Sequence, residues 1–159
     1  MVLHSICPVY NEQSKVLVLG SFPSVKSRES GFFYGHPQNR FWKVLSGVFK
    51  EDVPVTIEEK KHMLLLHQIA VWDVIHSCDI VGSSDSSIKN VEVNHIGMIL
   101  EQAQIKRIVT NGKKASSLYR KYLKAETKIE DICLPSTSPA NAAWNLERLI
   151  EAWKDSLLG

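Results

Sequence analysis

The sequence predicts an α/β protein, a three-layer α/β/α sandwich around a central four-stranded parallel sheet. Three observations carry this expectation. Short, continuous apolar runs of strand length recur along the chain and read as strands buried on both faces. Helical patterns lie between them. Strands alternating with helices imply right-handed crossovers and helices on both faces of the sheet.

In chain order, the first strand is Val16–Gly20 (VLVLG), a run ended by glycine. Asn39 then stands where an N-cap would be, ahead of a helix whose apolar residues Phe41, Trp42, Leu45, Val48 and Phe49 share one face. Thr56 with Glu59 forms a capping box that opens a second helix carrying Met63, Leu64 and Leu65. Residues 69–75 (IAVWDVI) read as the second strand, and 77–90 (SCDIVGSSDSSIKN), without periodicity, as a surface loop within the domain. Asn94 caps a third helix through Ala103. The third strand is Arg107–Asn111 (RIVTN), and Gly112 leads into a helix holding Ala115, Leu118, Tyr119 and Tyr122. Asp131–Leu134 (DICL) is the fourth strand, and the last helix runs from 141 to about 157 with Trp144, Leu146, Leu149, Ile150 and Trp153 on its apolar face.

The 159 residues, 44% hydrophobic and 23% charged, suit a single domain, 1–159, with a real core; they argue against disorder and against a small disulfide scaffold. Cys7, Cys78 and Cys133 offer no CxxC spacing, and an odd count fits a reducing compartment, so free thiols and no iron–sulfur cluster are expected. The N-terminus has no charged segment leading into an apolar one, and no apolar run approaches the roughly 20 residues that span a bilayer. A cytoplasmic protein without membrane partners is the expectation.

The net charge of +2 implies no polyanion partner by itself, but its distribution is uneven. Residues 107–124 hold six basic side chains and no acid, and Lys26, Arg28, Arg40, Lys43 and Lys50 face only Glu29. Such zones serve either as solvated helix faces or as grips on phosphates.

In a parallel open sheet, ligands bind beyond the carboxyl ends of the strands. The segments there, 20–42, TNGKK (110–114) and LPSTSPANAAW (134–144), are rich in Gly, Ser, Pro and Asn. They supply amides, hydroxyls and backbone N–H groups with little acid–base power, an inventory for a neutral polar ligand and a phosphate backbone. Taken singly the residues stay ambiguous. Asn39 and Asn141 serve as helix caps or as site residues; Phe22 is core or a stacking surface; Asn111 with Gly112 is a strand-to-helix turn or a reader of a ligand edge. His36 is a turn residue or a sensor of developing charge. Asp73, charged within an apolar run, must lie near the strand end and is better read as structurally paired than as functional. His4, His62, His67, His76 and His95 form no ligand spacing. A nucleotide-binding α/β domain would show GxGxxG or GxxxxGK[ST], and neither occurs.

The segments GSFPS (20–24), GFFYGHPQNRFW (31–42), TNGKKA (110–115) and LPSTSPAN (134–141) resemble, in order, the motifs of the uracil-DNA glycosylase superfamily, and specifically its hypoxanthine-DNA glycosylase branch. LPSTSPAN together with GHPQNRFW is the specific combination. The resemblance implies a monofunctional enzyme, acting as a monomer, that flips a deaminated base out of DNA and hydrolyses its N-glycosidic bond, leaving an intact abasic strand. Hypoxanthine is the favoured base, with uracil, including G:U mismatches, the closest alternative. A lesion-binding protein without activity is the rival of another class; it would lack the water-positioning amide. By the resemblance Asn39 positions the attacking water, and Gly20, Ser21, Phe22 and Asn111 hold the base, Phe22 by stacking. Ser24, Lys113, Lys114, Ser136, Thr137, Ser138, Pro139, Ala140 and Asn141 hold DNA, with an apolar wedge among Pro139, Ala140 and 142–144. Ser24 stands where many relatives have glycine, which narrows the approach.

An amide accepts no proton at neutral pH, so Asn39 orients water without acting as a general base. Bond breaking then runs ahead of attack, stabilised by fixed dipoles in a dry pocket. No metal or cofactor is expected, since no ligand cluster can be assembled from the spacing.

Overall fold

The computed structural model describes residues 1–159. In chain order it contains β1 (Val2–Leu3), β2 (Val16–Gly20), α1 (Val25–Ser30), α2 (Phe41–Phe49), α3 (Ile57–Leu66) and β3 (Ile69–Asp73). There follow β4 (Ile75–Asp79), a 3₁₀ turn at Asp85–Ser87, β5 (Lys89–Val93) and α4 (Gly97–Gln102). The chain ends with β6 (Arg107–Asn111), α5 (Lys113–Tyr122), α6 (Lys124–Thr127), β7 (Asp131–Leu134) and α7 (Leu146–Leu158).

The expected four-stranded parallel sheet is present, in the order β3-β2-β6-β7. Every residue of β2 and β3 is buried, because strands covered by helices on both faces have no solvent side on which to place polar residues. The chain leaves β2 for β3 on one side and later inserts β6 on the other. The order therefore reverses between β2 and β6, and a crevice opens beyond their carboxyl ends, at Gly20 and Asn111.

A second sheet, in the order β1-β4-β5 and antiparallel, was not legible in the sequence. The run 69–75 does not form one strand. It breaks at Val74, where the Asn94 amide Nδ2 donates to the carbonyls on either side, Asp73 O at 2.9 Å and Ile75 O at 3.1 Å. Asn94 thus bends the chain into the second sheet, and the helix it was expected to cap begins only at Gly97. The segment 77–90 accordingly belongs partly to β4 and β5, with only its tip as a loop. Helix α1 also escaped prediction; Ser24 caps it, accepting from the Ser27 N–H at 3.1 Å.

The capping box of Thr56 and Glu59 forms as expected. Helix α2 starts one residue later than foreseen, with Arg40 at the cap position. Helix α7 starts at Leu146 and not at 141; Asn145 caps it, accepting from the Arg148 N–H at 2.9 Å. The reason is Arg40. Its guanidinium donates to the carbonyls of Ser138 (3.0 Å), Asn141 (3.1 Å) and Trp144, holding this stretch as a loop against the start of α2. Arg40 lies in a basic zone whose sequence fits a solvated helix face or a phosphate grip, and its donors are instead turned inward.

Candidate functional site

A cavity of about 330 Å³ fills the crevice at the switch point, within the size range of small-ligand sites. A larger, more open hollow near Glu12, Glu101 and Thr127 brings together no convergent chemistry. The floor of the crevice cavity is made where the strands stop, and its walls come from the loops 21–24, 33–39 and 136–140 and from the β4–β5 connection.

The central feature is a directed chain of hydrogen bonds through Thr137. The Thr137 N–H donates to Asn111 Oδ1 at 3.0 Å, which fixes that amide and turns its Nδ2 to donate to Thr137 Oγ1, also at 3.0 Å. The Thr137 hydroxyl passes its own hydrogen to Asn39 Oδ1 at 2.9 Å. The Phe41 N–H donates to the same oxygen at 2.9 Å. A backbone N–H can only donate, so the orientation of both amides follows from it. Asn39 has both lone pairs of its oxygen engaged, and its Nδ2 hydrogens are what it can offer the pocket. Asn39 is thus not the cap of α2, a position Arg40 holds without a side-chain cap bond; its side chain closes a turn onto Phe41 and stands in the pocket wall.

Thr137 is completely buried. Its hydroxyl cannot reach a phosphate, so the expectation of a DNA contact through that side chain is corrected; it binds two asparagines to each other. Around it the loop is self-consistent. Ser136 Oγ accepts from the Ser138 N–H, Ser138 Oγ accepts from the Ala140 N–H, and Asn141 Nδ2 donates to Ser136 O. Gly112 brings the start of α5 against this loop: its φ of +97° disfavours a side chain, and a Cβ there would lie 3.0 Å from Ser136 Cβ.

Gly20, Ser21, Phe22, Ser24, Ser136, Ser138, Pro139 and Ala140 line the cavity together with Asn39, Asn111 and Thr137. Phe22 is 9% exposed, so it is core and wall at once, with Arg28 lying 5.5 Å over its ring. Lys113 is exposed and Lys114 half-buried; with Asn141 they lie outside the lining, and neither lysine forms an ion pair. Pro139, Ala140, Ala142 and Ala143 are exposed, whereas Trp144 is half-buried under the Arg148 guanidinium at 4.1 Å.

Several groups in the pocket were read otherwise from the sequence or missed. Asp73 is paired as expected, accepting at Oδ2 from His4 Nε2 at 2.8 Å, but it also lines the cavity. The Ile6 N–H donates to His4 Nδ1, which places the neutral ring's proton on Nε2. Nothing in the spacing of His4 announced this, since the partners are 69 residues apart. His36 lines the pocket too, and its Nδ1 accepts from the Gln38 N–H at 3.0 Å, so the turn reading holds there. Asp85 reaches the pocket from the tip between β4 and β5 and accepts from Ser21 Oγ at 3.0 Å. Burial pushes its carboxyl up, Ser21 and Lys114 oppose the rise, and the charge of Asp73 adds to it. Tyr34, within the GFFYGHPQNRFW segment, also lines the cavity. No three His, Cys, Asp or Glu side chains converge as a metal site.

Residues 7–157 match the family model of the uracil DNA glycosylase superfamily. The chain is 34% identical over 139 residues to a hypoxanthine DNA glycosylase of Methanosarcina barkeri, spanning 84% of this chain and 85% of that protein. It is 33% identical over 153 residues to a hypoxanthine DNA glycosylase of Methanosarcina acetivorans, spanning 93% and 94%. The solution NMR structure of a candidate uracil DNA glycosylase from Methanosarcina acetivorans superposes with a TM-score of 0.84 at 30% identity, covering 99% of this chain and 98% of that one.

Proposed function

The chain belongs to the uracil DNA glycosylase superfamily, and we propose that its pocket takes hypoxanthine first among deaminated bases, with uracil as the alternative substrate. The protein is a DNA glycosylase that removes a deaminated base by hydrolysis. The observation that carries the site assignment is the chain Asn111–Thr137–Asn39, which aims preorganised amide donors into a cavity at the sheet's switch point.

The flipped nucleotide enters beside Phe22, which supplies a stacking surface, and Asn111 contributes its amide to the base edge. The C1′–N bond breaks with its electron pair leaving on the base, and an oxocarbenium-like sugar develops. Water, held by one Nδ2 hydrogen of Asn39 on one lone pair of its oxygen, bonds to C1′ through the other, and one of its protons ends on the departed base. Neither Asn39 nor Asn111 takes a proton in this scheme. The N-terminus of α5, with Lys113 and Lys114, and the hydroxyls of Ser136 and Ser138 face the DNA backbone, where positive charge and free donors hold phosphate oxygens. The exposed Pro139–Ala140 tip supports an apolar wedge.

In this reading the enzyme is a single domain, 1–159, working as a monomer, which the lining of the pocket by one chain supports. The three free cysteines support a cytoplasmic setting, and no helix is long and apolar enough to cross a membrane. It works without metal, and activity withstands EDTA. The deciding experiment is incubation with duplexes bearing one hypoxanthine, uracil or thymine opposite each partner base, followed by alkaline cleavage. Strand breaks at hypoxanthine in excess of uracil are expected. Cleavage at neither base would overturn the reading, and borohydride trapping of a covalent DNA complex would exclude simple hydrolysis.

A further inference from the structure

One pair of groups on the pocket floor is left incomplete. Asp73 has only half of its carboxylate engaged: Oδ2 accepts from His4, and Oδ1 accepts from nothing. Tyr34 Oη, shielded from solvent, has no hydrogen-bond partner at all. The two lie side by side over Gly20, where a Cβ would stand 2.4 Å from Asp73 Oδ1 and 3.1 Å from Tyr34 Oη. Gly20 is therefore required by this close approach and not by its backbone angle. Tyr34 is held in place by its ring, stacked on Phe41 at 4.1 Å between centroids, and by a backbone in the left-handed region at φ +53°. Burial and then the neighbouring Asp73 charge push its phenol far up, with the Asn111 amide opposing only in part, so it stays protonated and its O–H is free to donate.

We infer that Asp73 and Tyr34 form an acceptor–donor pair that reads the lactam edge of the extruded base, the ring N–H beside a C=O that deamination creates. Asp73 Oδ1 accepts from N1–H of hypoxanthine or N3–H of uracil, and Tyr34 Oη–H donates to the adjacent carbonyl. Adenine and cytosine present the reverse order, a ring-nitrogen lone pair beside an amino group, so the carboxylate meets a lone pair and the phenol meets N–H hydrogens. One pocket thereby takes both deaminated bases and rejects both parents. Guanine and thymine share the lactam edge, and their exclusion falls to the shape of the pocket. His4 is the positioning residue: by holding Oδ2 it leaves Oδ1 facing the base.

The inference rests on the glycosylase reading of the site, and one experiment separates the two. Single-turnover excision is measured for the parental protein, Tyr34→Phe and Asp73→Asn on duplexes carrying hypoxanthine, uracil, adenine or cytosine. Affinity for a duplex with an abasic site, which has no base edge to read, and the melting temperature are measured in parallel. Tyr34→Phe keeps the stack on Phe41 and loses only the hydroxyl; excision of hypoxanthine and of uracil should fall about 10-fold or more, while abasic-duplex affinity holds. Asp73→Asn should lose the same excision and raise the ratio of adenine to hypoxanthine and of cytosine to uracil removal. Should Asp73→Asn fail to fold, Tyr34→Phe decides alone. Excision by Tyr34→Phe within about twofold of the parental rate, or an equal loss of abasic-duplex affinity, overturns the edge-reading pair and leaves the glycosylase reading intact. A parental protein that excises neither base overturns that reading, and the pair with it.

Discussion

Asp131 opens β7 and Asp73 closes β3, so the two buried carboxylates stand at opposite ends of the parallel sheet. Asp131 is filled on both oxygens. Thr110 and Ser116 hydroxyls donate to Oδ2 at 2.6 and 2.7 Å, and Arg120 Nε donates to Oδ1 at 2.8 Å. Burial pushes its carboxyl up, but the hydrogen bonds from Thr110, Arg120 and Ser116 together outweigh burial and hold it below the usual carboxylate range. Asp73 has one partner, His4, and an oxygen turned into a cavity. The difference separates a brace from a site: a saturated buried charge ties β6, α5 and β7 together, while a half-saturated one keeps binding capacity that a ligand can complete.

The comparison breaks or sharpens according to where loss of rate and loss of stability fall. The largest effect belongs to the open end. Asn39→Ala should cut single-turnover excision by roughly 10²-fold or more, with affinity for damaged duplex little changed. Asn39→Asp keeps an acceptor for the Phe41 N–H and the Thr137 hydroxyl but loses the N–H donors. A rate as low as that of Asn39→Ala marks the donor face as the working one, whereas parental rates in both variants reduce Asn39 to a structural turn.

Next is Thr137→Val, which removes the hydroxyl between the two asparagines and keeps the shape. Excision should fall about 10- to 100-fold, since a misaligned group costs rate steeply, and Thr137→Ser should restore it. A loss of stability with no loss of rate per folded molecule would place Thr137 with the braces.

At the closed end the signature reverses. Asp131→Asn should lower stability by about 1–3 kcal/mol and leave excision by the folded protein unchanged. Its pH dependence has a definite sign. Because the folded carboxyl is held below its ordinary value, its contribution is present above the ordinary carboxylate range and is lost as pH falls through the folded value. Acid unfolding of Asp131→Asn should therefore be shallower than that of the parental protein. A drop in its excision rate at full folding would show that the brace also shapes the site.

The smallest effect lies outside both clusters. Lys114→Ala should weaken damaged and undamaged duplexes alike, a few-fold at moderate salt, and lower the salt slope by about 1. A loss confined to damaged DNA would move Lys114 into the reading of the lesion.

The parallel sheet was legible because β2, β3 and β6 are apolar runs bounded by turn residues, and that pattern is local. The segments that form the pocket were legible for a related reason: they follow strands and carry the motif residues Asn39, Asn111 and 134–141. The second sheet was not. β4 and β5 have mixed burial and bulged pairing, and the break that creates β4 depends on Asn94, about twenty residues downstream. The start of α7 was misplaced for the same kind of reason, because Arg40, a hundred residues away, takes the carbonyls that a helix would have used.

By itself, then, the sequence determined the strand runs, most helix positions and the residue types at the pocket, since these follow from periodicity and from chemistry carried by neighbouring residues. Only the tertiary structure decided which groups are spent and which remain free. Thr137 is buried and engaged with two amides, Arg40 is turned inward, and Asp73 and Tyr34 are left incomplete on the pocket floor. Each of these outcomes is settled by a partner far away in the chain, and a hydrogen-bonding group has a fixed number of donors and acceptors, so its availability to a ligand is set by long-range pairing that no local pattern records.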